Sequence, residues 1–250
     1  MANDKITLYG IELSPPVRAV LLTLKALNLD YEFREINLLL GEHMTPEYLK
    51  MNPHHTVPTL EDVDGKAICD SHAICAYLVR KYGKDDADKM SLYPQDYYER
   101  AKVDHRLHYE SGVLFAACLK GITKPIFYDN AQELPKQSIT QIVEAYTTLE
   151  TLLGEHPYVA GDNLTIADFS IVATLSVFNL AFPPVDAKQW PKLSAWFKRM
   201  SQLPYYEEAN GKGASGMAGF LSSKLPKGFV EQWQEALWQK AVADMKSGKQ

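Results

Sequence analysis

Cysteine is scarce in this chain and is not placed where disulfide or metal chemistry would need it. Cys69, Cys75 and Cys118 make an odd number, with no CxxC or metal-ligand spacing. Two of them lie among apolar neighbours, so all read as reduced thiols of a cytosolic protein, and no metal is expected. Long apolar runs are missing, and none approaches the roughly 20 residues that a membrane helix needs. Residues 1–20 lack the basic-then-apolar profile of a signal peptide, which points to a cytoplasmic location. Positive charge is not in excess. The formal net charge of −5 argues against nucleic acid or an anionic membrane as the partner. No internal repeat or low-complexity tract interrupts the sequence.

What is present suits one large domain or two small ones. Of 250 residues 46% are hydrophobic and 23% charged, the balance of a globular chain with ample material for a core. The first 82 residues alternate in type. Lys5–Tyr9 reads as a strand, Pro15–Leu27 as a helix and Tyr31–Ile36 as a strand, a βαβ unit that should cross right-handedly and pair its strands in parallel. A short helix is expected near Pro46–Met51, then a hairpin from Val57–Glu61 and Lys66–Cys69 around Asp64-Gly65. A mixed four-stranded sheet follows, closed by a helix from Ser71 to Tyr82. Residues 84–94 shift to Lys, Asp and Ser and read as an inter-domain linker after the helix stop at Gly83. Beyond Pro94 only helical periodicity continues, over about 95–120, 136–153, 166–181 and 191–202. The expected division is therefore an α/β domain over 1–83, a linker over 84–94, an all-helical domain over 95–224 and a tail over 225–250.

Three local features complete that outline. Thr165-Ile166-Ala167-Asp168 fits a capping box with Asp in place of Glu or Gln, flanked by Leu164 and Phe169 as a staple, and reads as a structural helix start. The glycine-rich stretch Gly211–Gly219 predicts a flexible turn. In the tail, Phe229, Trp233 and Leu237, with Val230, Trp238 and Ala241 beside them, predict an amphipathic helix. It is expected to pack on its own protein, with disorder or a partner surface as the alternatives.

The chemistry concentrates in three places. In Ser14-Pro15-Pro16-Val17-Arg18-Ala19 the prolines require a helix to start, because they are tolerated only in a first turn. Ser14 is then either a plain N-cap or a hydroxyl placed where the backbone N–H groups and helix dipole favour an anion. A thiol docked there would lose its proton more easily. Asn52-Pro53-His54-His55-Thr56-Val57-Pro58 leads into the third strand. A cis Val57-Pro58 bond would turn the Val57 N–H and C=O outward to pair with an extended peptide. His54 and His55 are weak evidence by themselves. In Asp70-Ser71-His72-Ala73, Ser71 is either the cap of the next helix or the receiver of a ligand carboxylate, with Asp70 free for an ammonium. An α-amino acid end presents both charges, and all three places lie at the ends of one sheet, where α/β ligand sites cluster.

These stretches, followed in order by Leu92-Tyr93-Pro94 and Thr165-Ile166-Ala167-Asp168, resemble a cytosolic glutathione transferase. The chain is most similar to the serine-type insect epsilon class, with delta as its near relative. His108-Tyr109-Glu110-Ser111-Gly112-Val113-Leu114-Phe115 and Leu203-Pro204-Tyr205-Tyr206-Glu207-Glu208-Ala209-Asn210 strengthen that likeness, which covers residues 5 to about 220. It implies a thioredoxin-like N-terminal domain, a helical C-terminal domain, glutathione as co-substrate, no metal and a homodimer. Carried over by position, Ser14 matches the catalytic serine, and His43 and His55 match contacts to the tripeptide, His43 at its glycyl end. Val57, next to Pro58, matches the backbone partner of the cysteinyl part, and Asp70 and Ser71 match the pair that holds the γ-glutamyl end. Asp70 departs from the commoner Glu and reaches one methylene less far. After Phe115, Leu119 and Thr123 stand where Arg and Glu are expected, which leaves a more apolar wall. Leu13, Phe115 and Leu119 are the candidates for the electrophile pocket, joined by Met217 and Phe220.

The expected reaction is conjugation of the glutathione thiolate to apolar electrophiles, of the detoxification type. Isomerisation or peroxide reduction starts from the same thiolate and stands as an alternative, as does a non-catalytic carrier of hydrophobic ligands on the same fold. Tyr9, inside the first strand, is a rival activator.

Overall fold

The computed structural model describes residues 5–127, 129, 131, 136–181, 184–225 and 229–247, without the side chains of 136, 139, 229, 230, 232, 233, 236 and 237. Its first part is built on one four-stranded sheet in the order β2-β1-β3-β4. β1 (Ile6–Gly10) is buried along its whole length and runs parallel to β2 (Tyr31–Glu35), with Ile6 opposite Tyr31 and Gly10 opposite Glu35. β3 (Thr59–Glu61) lies antiparallel to β1 with Thr59 opposite Tyr9, and β4 (Ala67–Cys69) lies antiparallel to β3 with Cys69 opposite Thr59. Between these last two, Gly65 adopts φ 77°, a conformation that glycine takes at no steric cost. The strand begins at Thr59 and not at the expected Val57, since Pro58 has no N–H to offer the ladder; the Val57-Pro58 bond is cis. α1 (Pro15–Ala26) connects the parallel strands, and α2 (Pro46–Met51) and α3 (Ser71–Tyr82) have the bounds that the sequence predicts.

The stretch expected to be a linker holds a helical turn, α4 (Ala87–Ser91), capped by Asp86 through the N–H groups of Asp88 and Lys89 at 3.0 and 3.2 Å. Its end is fastened to the helices that follow. The Ile166 N–H donates to Leu92 O at 2.9 Å, and the Tyr93 hydroxyl donates to Asp104 at 2.9 Å.

The remainder is helical. α5 (Tyr97–Tyr109), α6 (Phe115–Cys118) and α7 (Lys124–Phe127) form one run through two π-helical turns, Glu110–Leu114 and Leu119–Thr123, and so extend past the predicted end at 120. α8 (Lys136–Leu153) follows. α9 (Ile166–Ala181) is buried on every side as far as Phe178, as a mainly apolar helix must be, and packs against α1, joining the sheet layer to the helices. In its first turn Asp168 does more than start a helix. Its carboxylate accepts from Thr165 N and Oγ1, from Val159 N and from Trp196 Nε1 of α10 (Pro191–Ser201), all at 2.8–2.9 Å.

Gly211–Gly219 is not a turn. Gly211 closes a π-helical turn (Glu207–Gly211), and the rest lies inside α11 (Lys212–Lys224). The glycines answer to close approach and not to flexibility: a Cβ on Gly213 would meet Glu12 O at 2.2 Å, and one on Gly216 would meet Leu13 Cδ2 at 2.9 Å. The tail forms α12 (Phe229–Lys246), which packs on α8, with the Trp238 ring 5.0 Å from Trp190 and 6.3 Å from Tyr146. Ala241 is buried beside it, while the side chains of Phe229, Val230, Trp233 and Leu237 lie outside the described set.

Candidate active site

The sheet register gathers the sites that the sequence singled out. Gly10, at the end of β1, stands opposite Glu35, the last residue of β2, and next to it Tyr9 pairs with Thr59, the first of β3. Thr59 in turn pairs with Cys69, the last of β4. The segments carrying Ser14, His43, Val57-Pro58 and Asp70-Ser71 therefore all leave the sheet at one end. This juxtaposition follows from mixed topology, in which β3 starts where β1, β2 and β4 finish.

Ser14 occupies the N-cap position of α1, yet its side chain makes no capping bond. Pro16 removes the N2 N–H, one of the two that a cap would serve, and the half-buried hydroxyl makes no bond to the other, so it is left for another partner. The 52–56 turn is fixed from behind. Buried Asn52 donates to Thr56 O at 2.8 Å and to Thr59 Oγ1 at 3.1 Å, and Tyr48 donates to Thr56 O at 2.6 Å. His55, exposed and at φ 47°, is thus held in a left-handed conformation, and its ring lies 6.4 Å from that of His43. The Nδ1 of His43 is buried and has no hydrogen-bond partner among the described residues. His54 is exposed and only its backbone N–H bonds, to Asn52 Oδ1 at 3.0 Å.

At the third place the cap is Asp70 and not Ser71. One oxygen, Oδ1, accepts both the His72 and Ala73 N–H groups at 3.0 and 3.1 Å. That leaves Oδ2 and the Ser71 hydroxyl at the first turn of α3, where a ligand's ammonium and carboxylate can each find a partner. Asp70 sits at φ 73°. Two of the three non-glycine residues with positive φ among the described residues are thus His55 and Asp70, and such conformations persist where the surrounding structure enforces them. His72 turns inward. Its Nε2 lies 2.7 Å from Ser170 Oγ and 3.1 Å from Glu110 Oε2, so the start of α3 is tied to α9 and to the first π-helical turn. A groove of about 310 Å³ opens beside it between α3 and α5, lined by Asp70, Ala73, Tyr93, Asp104 and His108 among others.

The apolar candidates divide into two sets. Leu13 packs against α11 at Gly216, in the next turn of which Met217 is buried and Phe220 stacks on Phe127 at 4.4 Å. Phe115 and Leu119 are half-buried on the long helical run that ends at Phe127. Phe127 was missed in the sequence; its signal was the apolar pair Ile126-Phe127 after Pro125. Arg18 was missed as well, although a lone cation inside Val17–Leu24 marks it out. Its side chain is fully buried. Tyr9 is removed from contention, because its hydroxyl donates to Glu61 at 2.9 Å and accepts from Arg34 at 3.2 Å. Burial first, and then Glu61, pushes this phenol above its ordinary value.

Two family models match the chain, "Glutathione S-transferase, N-terminal domain" over residues 8–86 and "Glutathione S-transferase, C-terminal domain" over residues 115–199. Glutathione S-transferase 1 of Manduca sexta is 42% identical over 221 residues, covering 88% of this chain and 99% of that protein. Among solved structures, an epsilon-class glutathione S-transferase from the housefly, Musca domestica, is 55% identical with a TM-score of 0.84, covering 88% of this chain and 98% of the other. A glutathione transferase homolog from Drosophila mojavensis with bound glutathione is 51% identical, with a TM-score of 0.83, covering 90% and 99%.

Proposed function

The chain belongs to the glutathione S-transferase family, and we propose that Ser14 activates the thiol of glutathione for attack on apolar electrophiles held between α1, α7 and α11. It is a glutathione transferase with a thioredoxin-like N-terminal domain and a helical C-terminal domain, and conjugation is its reaction. The observation that carries the Ser14 assignment is its hydroxyl, uncapped and half-buried at the start of α1, at the sheet end that also presents Val57, Asp70 and Ser71.

In this reading the tripeptide lies along that end. The Val57 backbone, just before Pro58, pairs with the cysteinyl residue. Asp70 Oδ2 takes the γ-glutamyl ammonium and Ser71 its carboxylate, while His43 and His55 face the glycyl end. The Ser14 hydroxyl donates to the sulfur, and the α1 N-terminus favours its negative charge, so the thiol is held as the thiolate that attacks. Much of the acceleration then comes from holding the sulfur against a bound electrophile. Leu13, Phe115, Leu119, Met217 and Phe220 supply the apolar wall in this reading, joined by Phe127, whose ring stacks on Phe220. The same reading has the enzyme act in the cytoplasm in a detoxification role, as a homodimer whose second copy covers the groove between α3 and α5.

Steady-state turnover with glutathione against aryl halides, organochlorines, hydroperoxides and enals of growing alkyl length tests the substrate class. Catalytic efficiency should climb along the enal series, each buried methylene contributing up to ~0.8 kcal/mol until the pocket is full. A flat series rejects the apolar wall, and turnover confined to hydroperoxides moves the reaction to reduction.

A further inference from the structure

Among the described residues Arg18 is the largest charged side chain that is buried completely, and no carboxylate there pairs with it. Only Nη1 is engaged, with Ser176 Oγ at 3.1 Å and Asn210 Oδ1 at 2.5 Å. Nε and Nη2 are buried without a hydrogen-bond partner among the described residues. The acidic groups described on the neighbouring elements have other partners or lie exposed, and buried Glu110 is bonded by Thr174 of α9 and by His72. Asp168 of α9 is bound by Thr165, Val159 and Trp196, Glu208 pairs with Lys25 at 2.5 Å, and Glu207 lies exposed against Gly211. Among the described residues Tyr206 is the ionisable group beside Arg18, and burial holds its phenol above the ordinary value, so it stays neutral.

The location gives that charge a use. Arg18 follows Ser14 by four residues, so both lie on one face of α1, and helical side chains lean toward the N-terminus. The stem runs beside the loop that delivers Ser14: the Cβ position of Gly213 is 2.7 Å from Arg18 Cδ and 2.2 Å from Glu12 O. A buried cation left unpaired is costly, and a negative charge arriving nearby relieves that cost. Burial alone pulls the guanidinium down to about 9, which leaves it a cation at neutral pH.

We propose that Arg18 is a positioning residue for the reacting sulfur, its buried and unpaired guanidinium supplying a positive field that favours the glutathione thiolate at Ser14. The inference rests on the Ser14 assignment and deepens it. Ser14 acts by donating a hydrogen bond, whereas Arg18 acts through the low-dielectric interior without touching the ligand.

The test is the pH titration of bound glutathione, followed by the ultraviolet absorbance of its thiolate in the full-length enzyme. Arg18→Met should move that titration upward by about one unit while glutathione affinity at alkaline pH is kept. Arg18→Lys, which retains the charge, should titrate near the parent. Asn210→Asp places a carboxylate against the guanidinium without emptying the core, so it should raise the titration as Arg18→Met does, and it decides the matter if Arg18→Met fails to fold. A depressed titration in the parent that Asn210→Asp or a folded Arg18→Met leaves unmoved overturns the role of Arg18 alone. A parent whose bound thiol titrates where free glutathione does overturns the Ser14 assignment, and this inference with it.

Discussion

Gly213 faces the carbonyl of Glu12 so closely that a Cβ on it would stand 2.2 Å from that oxygen. The backbone of α11 therefore presses on the loop two residues ahead of Ser14, and the helical part of the chain sets where the Ser14 hydroxyl stands. Gly213→Ala has no flexible side-chain end to push aside at this point, since the obstacle is backbone. It should destabilise the fold by about 1–3 kcal/mol, as overpacking does, and depress turnover at temperatures where the variant is still folded. Thermal unfolding beside activity checks this, and a variant equal to the parent in both shows that the loop gives way freely.

Ser14→Ala should leave the fold and glutathione affinity nearly unchanged while turnover falls by roughly one to three powers of ten, the range for losing one preorganised donor. The pH–rate profile should move to higher pH, because less of the bound thiol is ionised. Parental turnover with an unmoved profile would remove Ser14 from the mechanism.

His55→Ala and Ser71→Ala should raise the Michaelis constant for glutathione far more than that for the electrophile, each losing about 1.5–3 kcal/mol of a bond to a charged group. Because Asp70 and not Ser71 caps α3, the Ser71 variant should melt with the parent. Calorimetry showing parental glutathione affinity in both variants contradicts the assignment of the site.

Asp62 carries the clearest acid dependence. Burial works against its charge, but Lys81, Tyr77, Tyr82 and the Val63 N–H all donate to it and together hold the carboxyl at about 2, below its ordinary 3.8. A carboxyl held below its unfolded-state value adds stability at pH above that value and loses it as pH falls through the folded-state value. Denaturant midpoints should therefore drop between about pH 4 and pH 2, with Asp62 accounting for about 1–2 kcal/mol after screening at the partly exposed Lys81. Asp62→Asn should be less stable at neutral pH and show a shallower acid slope. An unchanged slope refutes the assignment.

Light scattering at micromolar concentration should give twice the 28.2 kDa of one chain. The start of α3 near His72 and the helix carrying Tyr109 flank the expected contact, with the His72 imidazole bonded to Ser170 and Glu110 and the Tyr109 hydroxyl donating to Ala145 O at 3.0 Å. The open groove between α3 and α5 is the candidate, and a mass of one chain rejects the dimer.

Much of the fold was legible along the chain because its signals are local. Prolines at the start of α1 and α2, the Asp64-Gly65 turn and the alternation in Tyr31–Glu35 act within a few residues, so α2, α3, α8 and α9 have the bounds that periodicity predicts. The three motif stretches of the site could be found in the same way, since each marks the start of a helix or strand. Local signals misled where two partners compete for one task. Ser71 has the composition of a cap, but Asp70, one residue earlier, takes both N–H groups.

The sequence by itself determined the βαβ unit, the hairpin and the helices α2, α3, α8 and α9, and which residue types stand at their ends. Only the tertiary structure decided what those residues do. Gly211–Gly219 has the composition of a turn, yet it runs from the close of a π-helical turn into a helix, because the glycines let α11 approach Glu12 and Leu13. Arg18 stands out as a lone cation in an apolar run, but only α9 and the Asn210 turn leave it without a paired carboxylate among the described residues, and His72 looks like a surface residue until Ser170 and Glu110 meet it. Close approach and desolvation belong to pairs of atoms that lie far apart along the chain. Helix propensity, turn preference and hydrophobic period are properties of neighbours in sequence and hold no information about such pairs.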